Sequence, residues 1–201
     1  MKFKYKPQKK LLGSSTYKMA KSDKFKYLSE ILHLASYTSS GVNICAKASP
    51  VCSKVCLISS GRGQMNSVNK ARLNKTYYFL ANRSKFLKHL DHEIKLSYER
   101  AKRQGLKYTV RLNGTSDLPF ERYKLDNGLN LMENNPNVQF IDYTKINNRF
   151  KYKLPKNYNL TFSQSEINLN ETKEIIKSKY NVATVFRNKL PKKWLGRKVI
   201  N

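Results

Sequence analysis

At 201 residues with 39% hydrophobic side chains, the chain is long enough to bury one core and too short for two comfortable domains, and its 13 tyrosines and 9 phenylalanines exclude a disordered protein. The formal net charge is +27, while no apolar run approaches the length of a membrane span, so no membrane partner is expected and a cytoplasmic protein is. The charge is uneven, at +8 over residues 1–26, +2 over 27–63, +9 over 64–111, −3 over 112–144 and +11 over 145–201. Basic flanks around a more acidic centre suit DNA, RNA or a nucleotide as partner and spare a specialised site, with AT-rich coding as the competing explanation of so many lysines.

In chain order, residues 1–26 read as a basic arm, with lysines interleaved with Phe3, Tyr5, Tyr17 and Phe25, and residues 27–201 as a single domain. Such an arm suits phosphates and stacked bases, although a basic arm is more often only solvated. Ser22 and Asp23, followed by Tyr27, Leu28, Ile31 and Leu32, predict a short capped helix. His33 has apolar neighbours and reads as a packed histidine. The turn-rich run from Ser36 to Gly41 leads into a cysteine loop, and Gly61 and Gly63 follow it. Residues 66–104 form the longest helical pattern, broken near Asn82. Its second half repeats Phe86, Leu90, Ile94, Tyr98 and Ala101 on one face until Gly105 stops it.

The rhythm then changes to strands separated by helical segments. Strands are expected at 108–112, 138–145, 158–162 and 182–186, with helices near 125–134 and 171–179. Alternation of this kind predicts an α/β fold, a parallel sheet or partial (β/α) barrel. In such folds ligands gather at the carboxyl ends of the strands. Those ends carry Asn113, Gly114, Thr115, Ser116 and Asp117, then Thr144 and Lys145, then Ser163, Gln164, Ser165 and Glu166, and lastly Arg187. All reach one rim if the cysteine loop follows an earlier strand near 31–35 rather than a helix.

All three cysteines, Cys45, Cys52 and Cys56, fall within a dozen residues, in the spacing C-x6-C-x3-C. Three thiols cannot pair off, and their odd number suits a reducing compartment. Clustered thiolates suit a soft metal. The only histidines, His33, His89 and His92, do not complete a zinc set, so an iron-sulfur cluster is the better metal reading, with structural thiols or a zinc site as the alternatives.

The run from Ser40 to Cys45, the Cys52 and Cys56 pair followed by Leu57, Gly61 and Arg62, and then Ala71, Arg72, Lys75 and Thr76 resemble the phage family called gene product 88. So do Val110 to Asp117, Asp142 to Lys145, Leu160 to Glu166 and Ala183 to Arg187. The resemblance runs in order from about residue 27 to 200 and implies a phage source, hence host cytoplasm, and a fold rather than a reaction. A looser resemblance is to radical S-adenosylmethionine enzymes, which place a three-cysteine loop after the first strand of a partial barrel. It implies a 4Fe-4S cluster on Cys45, Cys52 and Cys56, with Asn113, Gly114, Thr115 and Ser116 toward the methionyl amine and Ser163 and Ser165 toward the ribose of S-adenosylmethionine. The usual spacing there is C-x3-C-x2-C; both intervals are longer in this chain.

The functional expectation is a cluster-binding, radical S-adenosylmethionine-like enzyme acting on nucleic acid or a nucleotide. Asp117 is its candidate catalytic group, with Lys145 and Arg187 to neutralise phosphate or carboxylate. The alternatives are a non-enzymatic basic nucleic-acid-binding protein with structural cysteines or zinc, and a hydrolase using Asp117 as general base and Cys56 as nucleophile.

Overall fold

The computed structural model describes residues 3–13, 26–56, 61–178 and 180–200. Its centre is a six-stranded sheet whose spatial order is its sequence order. The strands are β1 (Leu12–Gly13), β2 (Tyr27–Leu32), β3 (Lys107–Arg111), β4 (Gln139–Thr144), β5 (Tyr158–Ser163) and β6 (Asn181–Ala183). From β2 to β6 every pairing is parallel, and β1 joins the edge antiparallel, with Leu12 opposite Leu32. A strand order that never reverses is that of a singly wound sheet, since crossovers of the usual right hand then pass over one face. Among the described strands β6 pairs only with β5, so the sheet stays open and no barrel closes.

Helix α1 (Pro50–Lys54) lies in the cysteine loop, and α2 (Asn66–Ala81) and α3 (Arg83–Arg103) form the crossover between β2 and β3. The break between them falls at Asn82, whose side chain accepts the Lys85 amide at 3.0 Å and starts α3. Phe86, Leu87, Leu90, Ile94 and Ala101 of α3 are buried in the main core with Val110, Phe140, Leu160 and Phe162 of the sheet. Helices α4 (Leu131–Asn134) and α5 (Leu169–Lys177) precede β4 and β6.

Several expectations are corrected. Residues 27–32 are a strand, because Glu30 points inward: it is 5% exposed and accepts from Arg100 Nη2 at 2.8 Å and the Tyr108 hydroxyl at 2.6 Å. A buried carboxylate reads as a solvent position in sequence and hides the period of two; Ser22 and Asp23 lie outside the described residues. The helix expected over 125–134 shrinks to Leu131–Asn134, started by a reciprocal cap between Asn130 and Glu133. Ahead of it Gly128, at φ +78°, closes a turn by donating to the Leu125 carbonyl at 2.9 Å. The strand expected over 182–186 ends at Ala183, opposite the last residue of β5, and Val185 is exposed. The basic arm is more than a solvated tail: Leu11 and Leu12 are core residues, and Glu93 of α3 accepts both their amides. A last hairpin, β7 (Lys193–Trp194) with β8 (Arg197–Lys198), turns through Leu195 and Gly196, both at positive φ.

Candidate functional site

The parallel register from β2 to β6 brings Leu32, Arg111, Thr144, Ser163 and Ala183 to one edge. A cavity of about 300 Å³ opens there. Its wall holds Cys45, Cys52 and Cys56 on one side and Asn113, Gly114, Thr115, Ser116, Asp117, Lys145 and Ser163 on the other. The structure therefore gathers most of the residues singled out in the sequence. Two stay outside: Ser165 does not line the cavity, and Arg187 is exposed, four residues past the end of β6.

The cysteine loop is held by hydrogen bonds to two strand ends. After β2, the Ala35 amide donates to Thr76 Oγ1 of α2 at 2.8 Å, and Thr115 Oγ1 donates to the Leu34 carbonyl at 2.5 Å. The Asp117 amide bonds the Ile44 carbonyl at 2.9 Å, which seats Cys45 against the loop after β3. Cys45 Sγ faces the Thr115 carbonyl at 3.6 Å, and burial first, with Asp117 and the other two thiols adding, pushes its pKa up to about 11. Cys45 is therefore a neutral thiol at pH 7, and ligation to a metal would have to displace its proton. Cys52 sits on α1, whose N-cap Ser49 accepts the Cys52 amide at 3.2 Å. Glu166, beyond β5, then clamps the start of α1, accepting from Ser49 Oγ at 2.9 Å and the Val51 amide at 3.0 Å. Glu166 was visible in the sequence only as a polar strand-end residue, and nothing there tied it to the cysteines.

The loop after β3 spends its side chains on itself. Asn113 Oδ1 accepts from Ser116 Oγ at 2.9 Å and the Leu118 amide at 2.8 Å, while Asn113 Nδ2 donates to the Leu118 carbonyl and to Asp142. Asp142, fully buried on β4, also accepts the Asn113 amide at 2.8 Å, and burial holds its pKa up at about 6. Gly114 lies so close to the end of β2 that an added Cβ would stand 2.5 Å from His33 Nδ1 and 2.6 Å from Ile31 Cγ2. Only glycine fits there.

Asp117 lines the cavity with both oxygens engaged. Oδ1 pairs with Arg149 Nη1 at 2.8 Å and Oδ2 accepts the Lys145 amide at 2.9 Å. Arg149, 1% exposed, also binds both oxygens of Glu121 and the Tyr158 hydroxyl. A carboxylate so committed is a poor general base and a good brace: it fixes the backbone at Lys145 and, through its own amide, at Ile44. The acidic segment 112–144 owes its composition partly to this buried network of Asp117, Glu121 and Asp142 rather than to a spared acidic surface.

Apart from the committed Asp117, the charged side chains that line the cavity are cations. Lys47, Arg111 and Lys145 line the cavity; Arg111 lies over the Tyr143 ring at 5.0 Å and donates from Nε to the Asn113 carbonyl. Arg72 of α2 lies near Cys56, and its Nε and Nη1 are buried without a hydrogen-bond partner, as is His33 Nδ1. Arg111, Tyr143 and Arg72 were not among the expected site residues: Arg111 and Tyr143 lie at the ends of β3 and β4 themselves, and Arg72 comes near Cys56 only through the packing of α2.

Among the described residues no three His, Cys, Asp or Glu side chains are grouped so as to hold a metal ion. Their grouping lends no support to a zinc ion or to a cluster. The three cysteines are reduced, half-buried and set around one cavity.

A protein-family model described as gene product 88 matches residues 6–200, so the chain belongs to that family. Neither a curated protein nor a solved structure matches it.

Proposed function

We propose that this member of the gene product 88 family binds a 4Fe-4S cluster through Cys45, Cys52 and Cys56 and uses it with S-adenosylmethionine on a nucleic acid or nucleotide. One observation carries the reading: all three thiols open on the cavity at the carboxyl edge of a singly wound parallel sheet, facing the loop after β3 and a set of cations. When bound, such a cluster supplies single electrons for radical chemistry on S-adenosylmethionine. The chain's own part is to bind and orient. The loop from Asn113 to Ser116, which lines the cavity opposite the cysteines, is the surface toward the methionyl amine. Arg111 and Lys145 neutralise a carboxylate or phosphate, and the unpartnered donors of Arg72 lie on the side of Cys56. Asp117 positions Lys145 and the cysteine loop.

The test is protein made and purified without oxygen, reconstituted with iron and sulfide, and assayed for both. The expected protein is coloured and oxygen-sensitive, and Cys45→Ala, Cys52→Ala and Cys56→Ala each lose iron. A colourless protein that takes up no iron overturns the reading and leaves the thiols structural.

A further inference from the structure

A second and wider groove, of about 580 Å³, lies between the N-terminal segment and α2 and shares no lining residue with the cysteine cavity. Lys4, Lys6 and Lys70 line it with exposed ammonium groups, and Tyr5, Tyr77 and Asn74 lie between them. No carboxylate lines it. The groove is built rather than incidental. Asn74 brackets Lys6 with two hydrogen bonds, accepting its amide at 2.6 Å and donating to its carbonyl at 2.8 Å. Phe3 stacks on Tyr77 with centroids 5.5 Å apart and planes 20° apart, and Tyr5 stacks on Tyr78 at 4.7 Å and 18°. Leu11 and Leu12, bound to Glu93, fix the far end of the segment in the core.

We infer that this groove binds single-stranded nucleic acid, the lysines meeting phosphates and the tyrosines meeting unstacked bases. Lysine alone would attract any polyanion; aromatic rings set among lysines add a surface for base faces, which a duplex keeps hidden. Ordered walls mean that the groove need not be folded by its ligand, so less of the binding energy goes into ordering. Binding here is separate from the cysteine cavity, with which the groove has no lining residue in common.

The experiment is fluorescence anisotropy of the full chain with labelled oligo-dT and oligo-U over a range of salt, with unlabelled duplex as competitor. For the K4Q/K6Q/K70Q protein the slope of log affinity against log salt falls by about 2, at about 0.7 for each phosphate no longer neutralised. The K189Q/K192Q/K193Q protein loses the same formal charge elsewhere and keeps its slope. Tyr77→Leu weakens binding about tenfold while Tyr77→Phe, which keeps the ring, retains it. Equal loss in the two triple variants, or a duplex that competes as well as a single strand, overturns the inference. Circular dichroism of each variant separates loss of binding from loss of fold.

Discussion

Arg149 is the residue on which the loops after β3 and β4 depend. It is 1% exposed and holds Asp117, Glu121 and Tyr158 at once, and without it two acids stay in a buried setting with no counter-charge. Arg149→Met should cost about 3–5 kcal/mol in urea unfolding, the range for breaking a buried pair from one side, and Arg149→Lys, which keeps the charge but not the fork, should fall between. His33 makes a prediction of a different kind. Burial first, then the charges of Arg72, Lys75 and Arg111, lower its pKa from 6.5 to about 4. Between those values the unfolded chain takes up a proton that the folded one refuses, so the His33 contribution is full above about pH 6.5 and is lost as pH falls toward 4. Asp142 runs the other way, since its folded-state pKa is raised to about 6 and it costs stability as pH rises through that region. The two partly cancel in the wild type. Removing one exposes the other: His33→Asn should lose less stability than the wild type between pH 6.5 and 4, as followed by chemical denaturation at each pH.

At the scale of elements, what was legible in the sequence was whatever rested on local pattern. The break at Asn82, the stop at Gly105 and the three central strands are local, and the structure has them within a residue or two. What was illegible rested on distant partners. Glu30 turns β2 into an apparent helix because Arg100 and Tyr108, which satisfy it, are 70 and 78 residues away. The cysteine loop is the same case. Its own hydrogen bonds cap a helix of five residues, too short to persist alone, and Glu166, from beyond β5, holds it in place. Glu166→Gln removes the charge that accepts the Val51 amide and Ser49 hydroxyl, and should raise the rate at which Cys52 is alkylated several-fold at unchanged global stability. An unchanged rate would mean that the loop is rigid without the clamp.

For the whole molecule, the unreversed strand order decides where chemistry can sit, because all the strand ends meet at one edge and the cysteines arrive there from the loop after β2. The gathering of Cys45, Cys52, Cys56, the loop after β3, Lys145 and Ser163 follows from this topology once residues 27–32 form a strand, and Arg111, the last residue of β3, comes with it, whereas Arg72 needed the packing of α2. Charge is the other global property. The chain carries +27, and Asp117, Glu121, Asp142, Glu30 and Asp91, five of its 13 acids, sit in buried or largely buried positions. The outer surface is thus more strongly positive than the composition suggests, and lysines repel one another across it. Added salt should act on the two populations differently. Screening reaches exposed charges once the Debye length shrinks to about 10 Å near 0.1 M, and hardly reaches the pairs of Arg149. The thermal midpoint should therefore rise as sodium chloride goes from about 10 mM to about 150 mM, in differential scanning fluorimetry. A midpoint that falls instead would mean that attractive surface pairs outweigh the repulsion, against what +27 on 201 residues requires.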